Sequence, residues 1–344
     1  MKYLTLLSLL LPIALLVSNG AQAYRCNTVT ETTMVNPPNV TIQRDQPVGS
    51  QIGNQLTSST VSTYNCDNSS DPPLNYQEFG VKSHGNYVTS INGRRVYSTN
   101  IAGIGYSVGA ISDNNCPGTQ GWVDGTSTSD GNPNNYILCS VNGRFQNEPL
   151  TARAMITFYK MSATTGSGQV NLGRVVSFIL KNNQNHWETP EPFLNISAFN
   201  VTTLACNVDN AAVSVNMGTV EKRGFKGVGS WPGEGNTKNF TIPLNCNAGT
   251  RVNVQIDGPA QDASQGILKL NGADNCNGNN TACGIGIQLL YNDRPLRLGS
   301  SFLTGTSESE GSYSISLKAR YYQTDNPVTP GDANSNASFT LTYH

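Results

Sequence analysis

Short runs in which apolar and polar residues alternate one for one set the architecture of this chain. Phe240-Thr-Ile-Pro-Leu244, Arg251-Val-Asn-Val-Gln-Ile256 and Ser314-Ile-Ser-Leu-Lys-Ala319 are three of them. A period of two sends successive side chains to opposite faces of a strand, so each run reads as a half-buried β-strand. The helical period of 3.6 residues is nearly absent. Between the runs lie Gly, Asn, Asp, Ser and Pro, which supply the positive backbone angles and fixed turns that hairpins and Greek-key connections need. The class expected is all-β, built as β-sandwiches.

The 344 residues exceed the usual size of one domain. Lys2 precedes an apolar stretch from Leu4 to Val17 that gives way to Ala21-Gln22-Ala23, the pattern of a secretory signal peptide over residues 1–23. The mature chain is expected to begin at Tyr24, exported and soluble. Two prolines at Pro190-Glu-Pro-Phe193, then a polar alternating stretch to Thr203, suggest a division into residues 24–198 and 199–344. Charged residues are 12% of the chain and the formal net charge is -1. An average globular protein carries about 25%, so nothing here draws in nucleic acid or an anionic membrane.

Eight cysteines in an exported chain point to disulfides. They fall into four close pairs, Cys26 with Cys66, Cys116 with Cys139, Cys206 with Cys246, and Cys276 with Cys283. This sequential pairing is one of the roughly 105 connectivities that eight cysteines permit. Metal binding is not expected: no C-x-x-C occurs, and His84, His186 and His344 stand away from cysteines at ligand spacing. No cofactor is implied.

The second half carries an ordered series: Leu204-Ala-Cys-Asn-Val208, Met217-Gly-Thr-Val220, Phe240 to Cys246, Arg251 to Gly258, Gly284-Ile-Gly-Ile-Gln-Leu-Leu290, Leu317-Lys-Ala-Arg-Tyr-Tyr322, and Ala337-Ser-Phe-Thr-Leu-Thr-Tyr343-His344. In this order the series resembles a type 1 pilin domain along its whole length. The resemblance implies an incomplete immunoglobulin-like sandwich, whose missing strand is lent by a periplasmic chaperone and then by the next fimbrial subunit at an outer-membrane usher. It also implies that the chaperone anchors the terminal carboxylate, here that of His344. The residues fit such a strand. Phe339, Leu341 and Tyr343 alternate with Ser338, Thr340 and Thr342, giving one core-facing side. An open edge beside it would aggregate unless a partner paired with it.

A shaft subunit needs a free alternating arm of about 15 residues to donate in turn, the length of an extended strand crossing a sandwich. Cys26 follows Tyr24 and Arg25 directly, and a bond to Cys66 would tie this end into the first domain. The expectation is a tip subunit, exported through the periplasm to the fimbrial tip at the cell surface.

In the first half, Asp45-Gln-Pro-Val-Gly-Ser50, Arg95-Val-Tyr-Ser-Thr99 with Ile101 to Gly105, and Thr164-Thr-Gly-Ser-Gly168 resemble the binding domain of the type 3 fimbrial adhesin, and more distantly the mannose-binding type 1 adhesin. Where the latter has an apolar residue before its first cysteine, this chain has Tyr24-Arg25-Cys26. That departure speaks against mannose. The candidates for contact with a host matrix protein or glycan are Asn54, Arg94, Arg95, Tyr97, Tyr106, Ser107 and Arg174, because arginine forks and tyrosine faces serve hydrogen bonding and stacking. Each also has a plain structural reading: Tyr97 as a core residue, Arg94-Arg95 as a solvated turn after Asn92-Gly93.

Two other functions compete with this reading. Catalysis finds no G-x-S-x-G, H-E-x-x-H or P-loop, and His84 and His186 show no partner in sequence. A carboxylate pair among Asp124, Glu148, Glu188 and Glu191 is the form a glycan-active enzyme would take. A structural adaptor or initiator subunit would leave the first half of the chain unexplained.

Overall fold

A computed structural model describes residues 24–67, 73–183, 186–275 and 280–344. The leader expected over residues 1–23 lies outside them. Apart from three 3-10 turns, the described elements are all strands.

The first part of the chain packs two sheets face to face. One orders Gln51–Thr57, Thr151–Lys160, Ile104–Ser112, Arg94–Ser98 and Tyr87–Ile91. The other orders Asn135–Asn142, Tyr76–Ser83, Gly173–Asn182, Phe193–Ile196 and Thr32–Val35, the last pair parallel. Their inner faces meet in a core that includes Phe79, Val81, Tyr106, Val108, Ile156, Phe158 and Phe178. Phe199 and Val201 belong to the same core, brought in by strand Phe199–Leu204 pairing parallel with Val40–Gln43. The first sandwich therefore draws in residues beyond 198.

The strand Ile104–Ser112 departs from simple alternation, because both of its faces are covered. Ile104, Tyr106, Val108 and Ala110 point into the core. On the reverse face Gly105 and Gly109 leave room for neighbours to lean in. A Cβ at Gly105 would come within 2.3 Å of Met161 Sδ, and one at Gly109 within 2.9 Å of the Trp122 ring. Val96, Met155 and Tyr159 are buried on this reverse side as well.

In the second part the described strand pairs are antiparallel. A long sheet orders Cys206–Val208, Lys238–Cys246, Gly311–Gln323, Ile285–Tyr291, Ile267–Leu268 and Ala260–Asp262. Facing it, a short sheet orders Phe302–Thr306, Arg251–Asp257 and Ser338–Tyr343. Leu244, Val252, Val254, Leu317 and Tyr343 lie between them in a separate core. The stretch 209–237 crosses this sandwich with no strand.

Disulfides join Cys26 to Cys66, Cys116 to Cys139 and Cys206 to Cys246. Each of the first and third closes a separation of 40 residues and links directly paired strands. On a chain-entropy estimate, a loop of that size stabilises by about 4 kcal/mol. In the expected pairing of Cys276 with Cys283, Cys276 lies outside the described residues.

Burial of Glu148 beside the strand of Cys66 pushes its carboxyl up to about 7, against the Cys66 backbone and the charge of Arg144. An acid raised in the folded state is best tolerated when protonated. Stability from this group is therefore lost as pH climbs from about 4.5 toward 7. The Glu148→Gln variant should be more stable than wild type at pH 8, and the gap should close at pH 4. Urea midpoints of residues 24–204 measured at both pH values test this; an unchanged gap refutes it.

Candidate functional site

An apolar groove opens along the second sandwich, between the two sheets. Its larger part has a volume of about 630 Å³, with Phe240, Ile242, Ile287 and Leu289 on the floor. The rims are the strandless stretch around Val213, Val215 and Met217 on one side, and Ser335 to Phe339 on the other. A further polar stretch of about 330 Å³ follows, lined by Lys222, Ile285, Tyr321, Thr329 and Asp332 among others.

The terminal strand Ser338–Tyr343 forms one rim and is the edge of its sheet, paired on one side with Arg251–Asp257. Phe339 and Leu341 pack against the second core and Tyr343 is sealed within it, whereas Ser338 and Thr340 are exposed. The Tyr343 hydroxyl donates to the Cys206 carbonyl at 3.1 Å. Burial raises the Tyr343 phenol above its ordinary pKa.

At its far end this strand meets the first sandwich. The Asp45 amide donates to the Tyr343 carbonyl at 2.8 Å, and the Tyr343 amide donates back to Asp45 Oδ2 at 2.9 Å. Arg44 lies over the Tyr343 ring at 4.4 Å and pairs with the Asp45 carboxylate at 2.8 Å. Beneath them the buried Lys160 donates to the Arg44 carbonyl at 2.6 Å. Asp45, singled out in sequence as part of a binding-domain motif, is here a contact between the two sandwiches. His344, just past the strand, is exposed.

The seven receptor candidates divide by burial. Tyr97, Tyr106 and Ser107 are sealed, at 0%, 2% and 0% exposure. Tyr97 donates to Asn134 Oδ1 at 2.9 Å, Tyr106 donates to the His84 carbonyl, and Ser107 sits on the covered reverse face of its strand. These three offer no free surface to a receptor. Asn54 and Arg174 are exposed, and Arg174 lies over Phe193 at 3.7 Å.

Arg94 and Arg95 leave opposite faces of one strand. Arg94 stacks on Trp122 at 3.6 Å and donates to the Tyr159 hydroxyl at 3.1 Å. Arg95 stacks on Tyr87 at 3.7 Å. Among the described residues neither has a carboxylate partner, so each is held flat by an aromatic ring with N–H groups to spare. The rings were missed in sequence, since Trp122 and Tyr87 come from other strands.

The fimbrial protein family matches residues 195–344. A fimbrial subunit type 1 of Salmonella typhimurium is 31% identical over 144 residues, 40% of this chain and 75% of that protein. The chain belongs to the fimbrial protein family. A fimbria adhesin protein of Klebsiella pneumoniae is 27% identical along 100% of both chains. The solved CupB6 tip adhesin of Pseudomonas aeruginosa aligns over 94% of this chain and 93% of its own, at 14% identity and a TM-score of 0.37. This chain is a fimbrial adhesin with a carboxy-terminal pilin domain.

The adhesin's two histidines singled out in sequence both lie in the first sandwich. Both have partners that sequence did not reveal: His84 Nε2 lies 2.6 Å from Ser177 Oγ and 3.9 Å from Glu191, and His186 lies 3.8 Å from Glu188. A relay needs hydroxyl and carboxylate on different ring nitrogens. Here both approach Nε2, and Ser177 is buried. Burial holds the His84 imidazole below its ordinary pKa despite Glu191. The carboxylates are tied up separately, Glu191 by Lys82, Glu188 by Asn182, and Asp124 by its own turn.

Burial alone would raise the Asp45 carboxyl, but Arg44 and the Tyr343 amide together hold it below its ordinary value of 3.8. A depressed acid stabilises above the unfolded pKa and loses that contribution as pH falls through the folded one. The contact should therefore persist from neutral pH down to about 4 and weaken below. The NMR shift of the Tyr343 amide proton should move only at that low end in wild type and stay flat in Asp45→Asn; a wild-type step near neutral pH would contradict the assignment.

Proposed function

We propose that this adhesin caps a chaperone-usher fimbria, its first sandwich binding a receptor and its second accepting a strand from a neighbouring chain. The observation that carries the reading is the apolar groove beside the open edge of Ser338–Tyr343. A strand laid there would cover Phe240, Ile242 and Leu289 and supply the missing ladder bonds, the physics of β-augmentation. In that scheme a periplasmic chaperone fills the groove first and holds the carboxylate after His344, and the neighbouring subunit replaces it at the outer-membrane usher. The capping position is supported by the Cys26–Cys66 bond, which locks Arg25–Thr28 onto Tyr64–Asp67 and leaves that stretch unable to donate.

We place the working boundary at 204/205, because Phe199 and Val201 serve the first core and Cys206 opens the second. The receptor contacts we favour are the two ring-backed arginines, Arg94 on Trp122 at one face of the strand and Arg95 on Tyr87 at the other, with exposed Asn54 and Arg174 as further candidates. Flat guanidinium groups with spare donors suit carboxylate, hydroxyl or peptide-carbonyl groups of a matrix protein or glycan.

Two experiments test these readings. Phe339→Asp or Leu341→Asp would put an unpaired charge against the core, at several kcal/mol, whereas Thr340→Asp would face water. Co-purification with the chaperone and display of fimbriae should be lost for the first two and kept for the third. Equal assembly of all three would sink the strand-acceptor reading. Separately, Arg94→Ala and Arg95→Ala should each weaken attachment of fimbriated cells by about tenfold, the size of a moderate hot spot. Undiminished attachment by the double variant would move the receptor site elsewhere.

A further inference from the structure

A hairpin of the second sandwich brings two unpaired arginines to one cleft. Asn292 and Asp293, both at positive φ, make the two-residue turn that sets Arg294 directly opposite Tyr291, on the same face. Leu296 and Leu298 are buried, and Arg297 between them is exposed. Backbone bonds of 2.9 Å from Leu296 to Leu289, Leu298 to Ala263 and Gly299 to Ile256 pin this segment in place. The cleft it borders has a volume of about 570 Å³, inside the range of about 300–1,000 Å³ usual for ligand sites. Arg294, Arg297, Tyr291, Phe302, Leu303 and Ser300 are among its lining residues. The Tyr291 and Phe302 rings pack at 4.7 Å, and the Tyr291 hydroxyl donates to the Thr304 carbonyl at 3.0 Å. No acidic residue is among those lining the cleft. The nearest acids are engaged elsewhere, Asp293 by Lys318 and Asp257 by Gln255. Among the described residues neither arginine has a carboxylate partner.

We propose that this cleft is a second adhesive site, binding a polysaccharide built with uronic acids. A uronate carries a planar carboxylate directly on a sugar ring. The carboxylate matches the fork of a guanidinium, while the ring offers C–H faces to Tyr291, Phe302 and Leu303 and hydroxyls to Ser300. Charge density favours this class over a heavily sulfated chain, because two cations in a chain with only 12% charged residues balance a sparse row of anions and not a dense one. An acidic peptide is disfavoured by the backbone. Phe302–Thr306 is the outer strand of its sheet, but a bulge opposite Val252 and Asn253 and the positive φ of Gly305 break the ladder just after Leu303. Such an edge resists strand addition. The cleft also lies at the opposite edge of this sheet from Ser338–Tyr343. It is therefore open whether or not a neighbouring chain engages the terminal strand, and it is separate from the arginines of the first sandwich.

The test is calorimetric titration of the full chain with hyaluronan fragments, whose only charges are uronate carboxylates, beside heparin fragments, a neutral malto-oligosaccharide and poly-glutamate. Hyaluronan should bind and the neutral sugar should not. Arg294→Gln and Arg297→Gln should each weaken binding by about tenfold, the scale of one charge-assisted hydrogen bond. Leu303→Asp, at an exposed position, should weaken it as well. Arg223→Gln combined with Lys226→Gln, which removes the same charge from another exposed part of the second sandwich, should leave it unchanged. So should Arg94→Ala combined with Arg95→Ala, which separates this site from the receptor contacts favoured above. The proposal is overturned if hyaluronan fails to bind, if heparin or poly-glutamate binds more tightly than hyaluronan, or if the Arg294 and Arg297 variants bind hyaluronan like wild type. Loss of binding in the Arg94 and Arg95 variant with retention in the Arg294 and Arg297 variants would assign the sugar to the first sandwich and overturn it too.

Discussion

The second sandwich depends on the strand Ser338–Tyr343, which has a partner on one side only. Its inner row, Phe339, Leu341 and Tyr343, is committed to a core that it cannot close alone. Along its free edge the backbone groups of the same residues point away from Arg251–Asp257, since side-chain and hydrogen-bonding directions alternate together. A surface both apolar and rich in unpaired backbone groups is unstable in water on two counts. An incoming strand answers both at once, whereas a helix or loop would cover the apolar floor and leave the ladder unmade.

The free edge is not wholly free. Its last residue is engaged by Asp45 of the first sandwich in a two-way hydrogen-bonded contact, and the Leu341 carbonyl accepts from Arg44 at 3.4 Å. The first sandwich therefore occupies the end of the same edge that an incoming strand would follow. The space open to that strand begins beside Phe339 and runs toward Tyr321. The two sandwiches thus meet at one strand, and Gln43, which donates to the Gly249 carbonyl at 2.8 Å, extends the junction onto the neighbouring loop.

Much of this was legible in sequence because the signals are local. Strict alternation marks Lys238–Cys246, Arg251–Asp257 and the terminal strand, and a cysteine near the start of each sandwich pairs with one 40 residues on. What could not be read depends on contacts between distant segments. Ser107 and Tyr106 sit on opposite faces of one strand, and in an ordinary sandwich one of them would meet solvent. On the second face Met161 leans over Gly105 and Trp122 over Gly109, and nothing near Ser107 announces them. The Asp45 contact spans 298 residues, and an aspartate in a polar Gln-Pro-Val-Gly turn looks like any solvated loop. The strand Phe199–Leu204 joins the first core by parallel pairing with the distant Val40–Gln43, a contact that its proximity to Cys206 in sequence conceals.

The same dependence on distant contacts explains why the two functional regions differ in how well they can be read. A strand acceptor is specified by periodicity, since the pattern that builds the sandwich also builds the groove. A receptor surface is specified by side chains that the fold does not need. Arg94 and Arg95 belong to neither hydrophobic core, yet each is backed by a ring brought from another strand. Holding a guanidinium flat reduces the freedom it must give up on binding. That preorganisation distinguishes these two half-buried cations from the exposed ones of the first sandwich, except Arg174 on Phe193. It also separates them from Arg153, whose guanidinium is already paired with Asp113 at 2.9 Å.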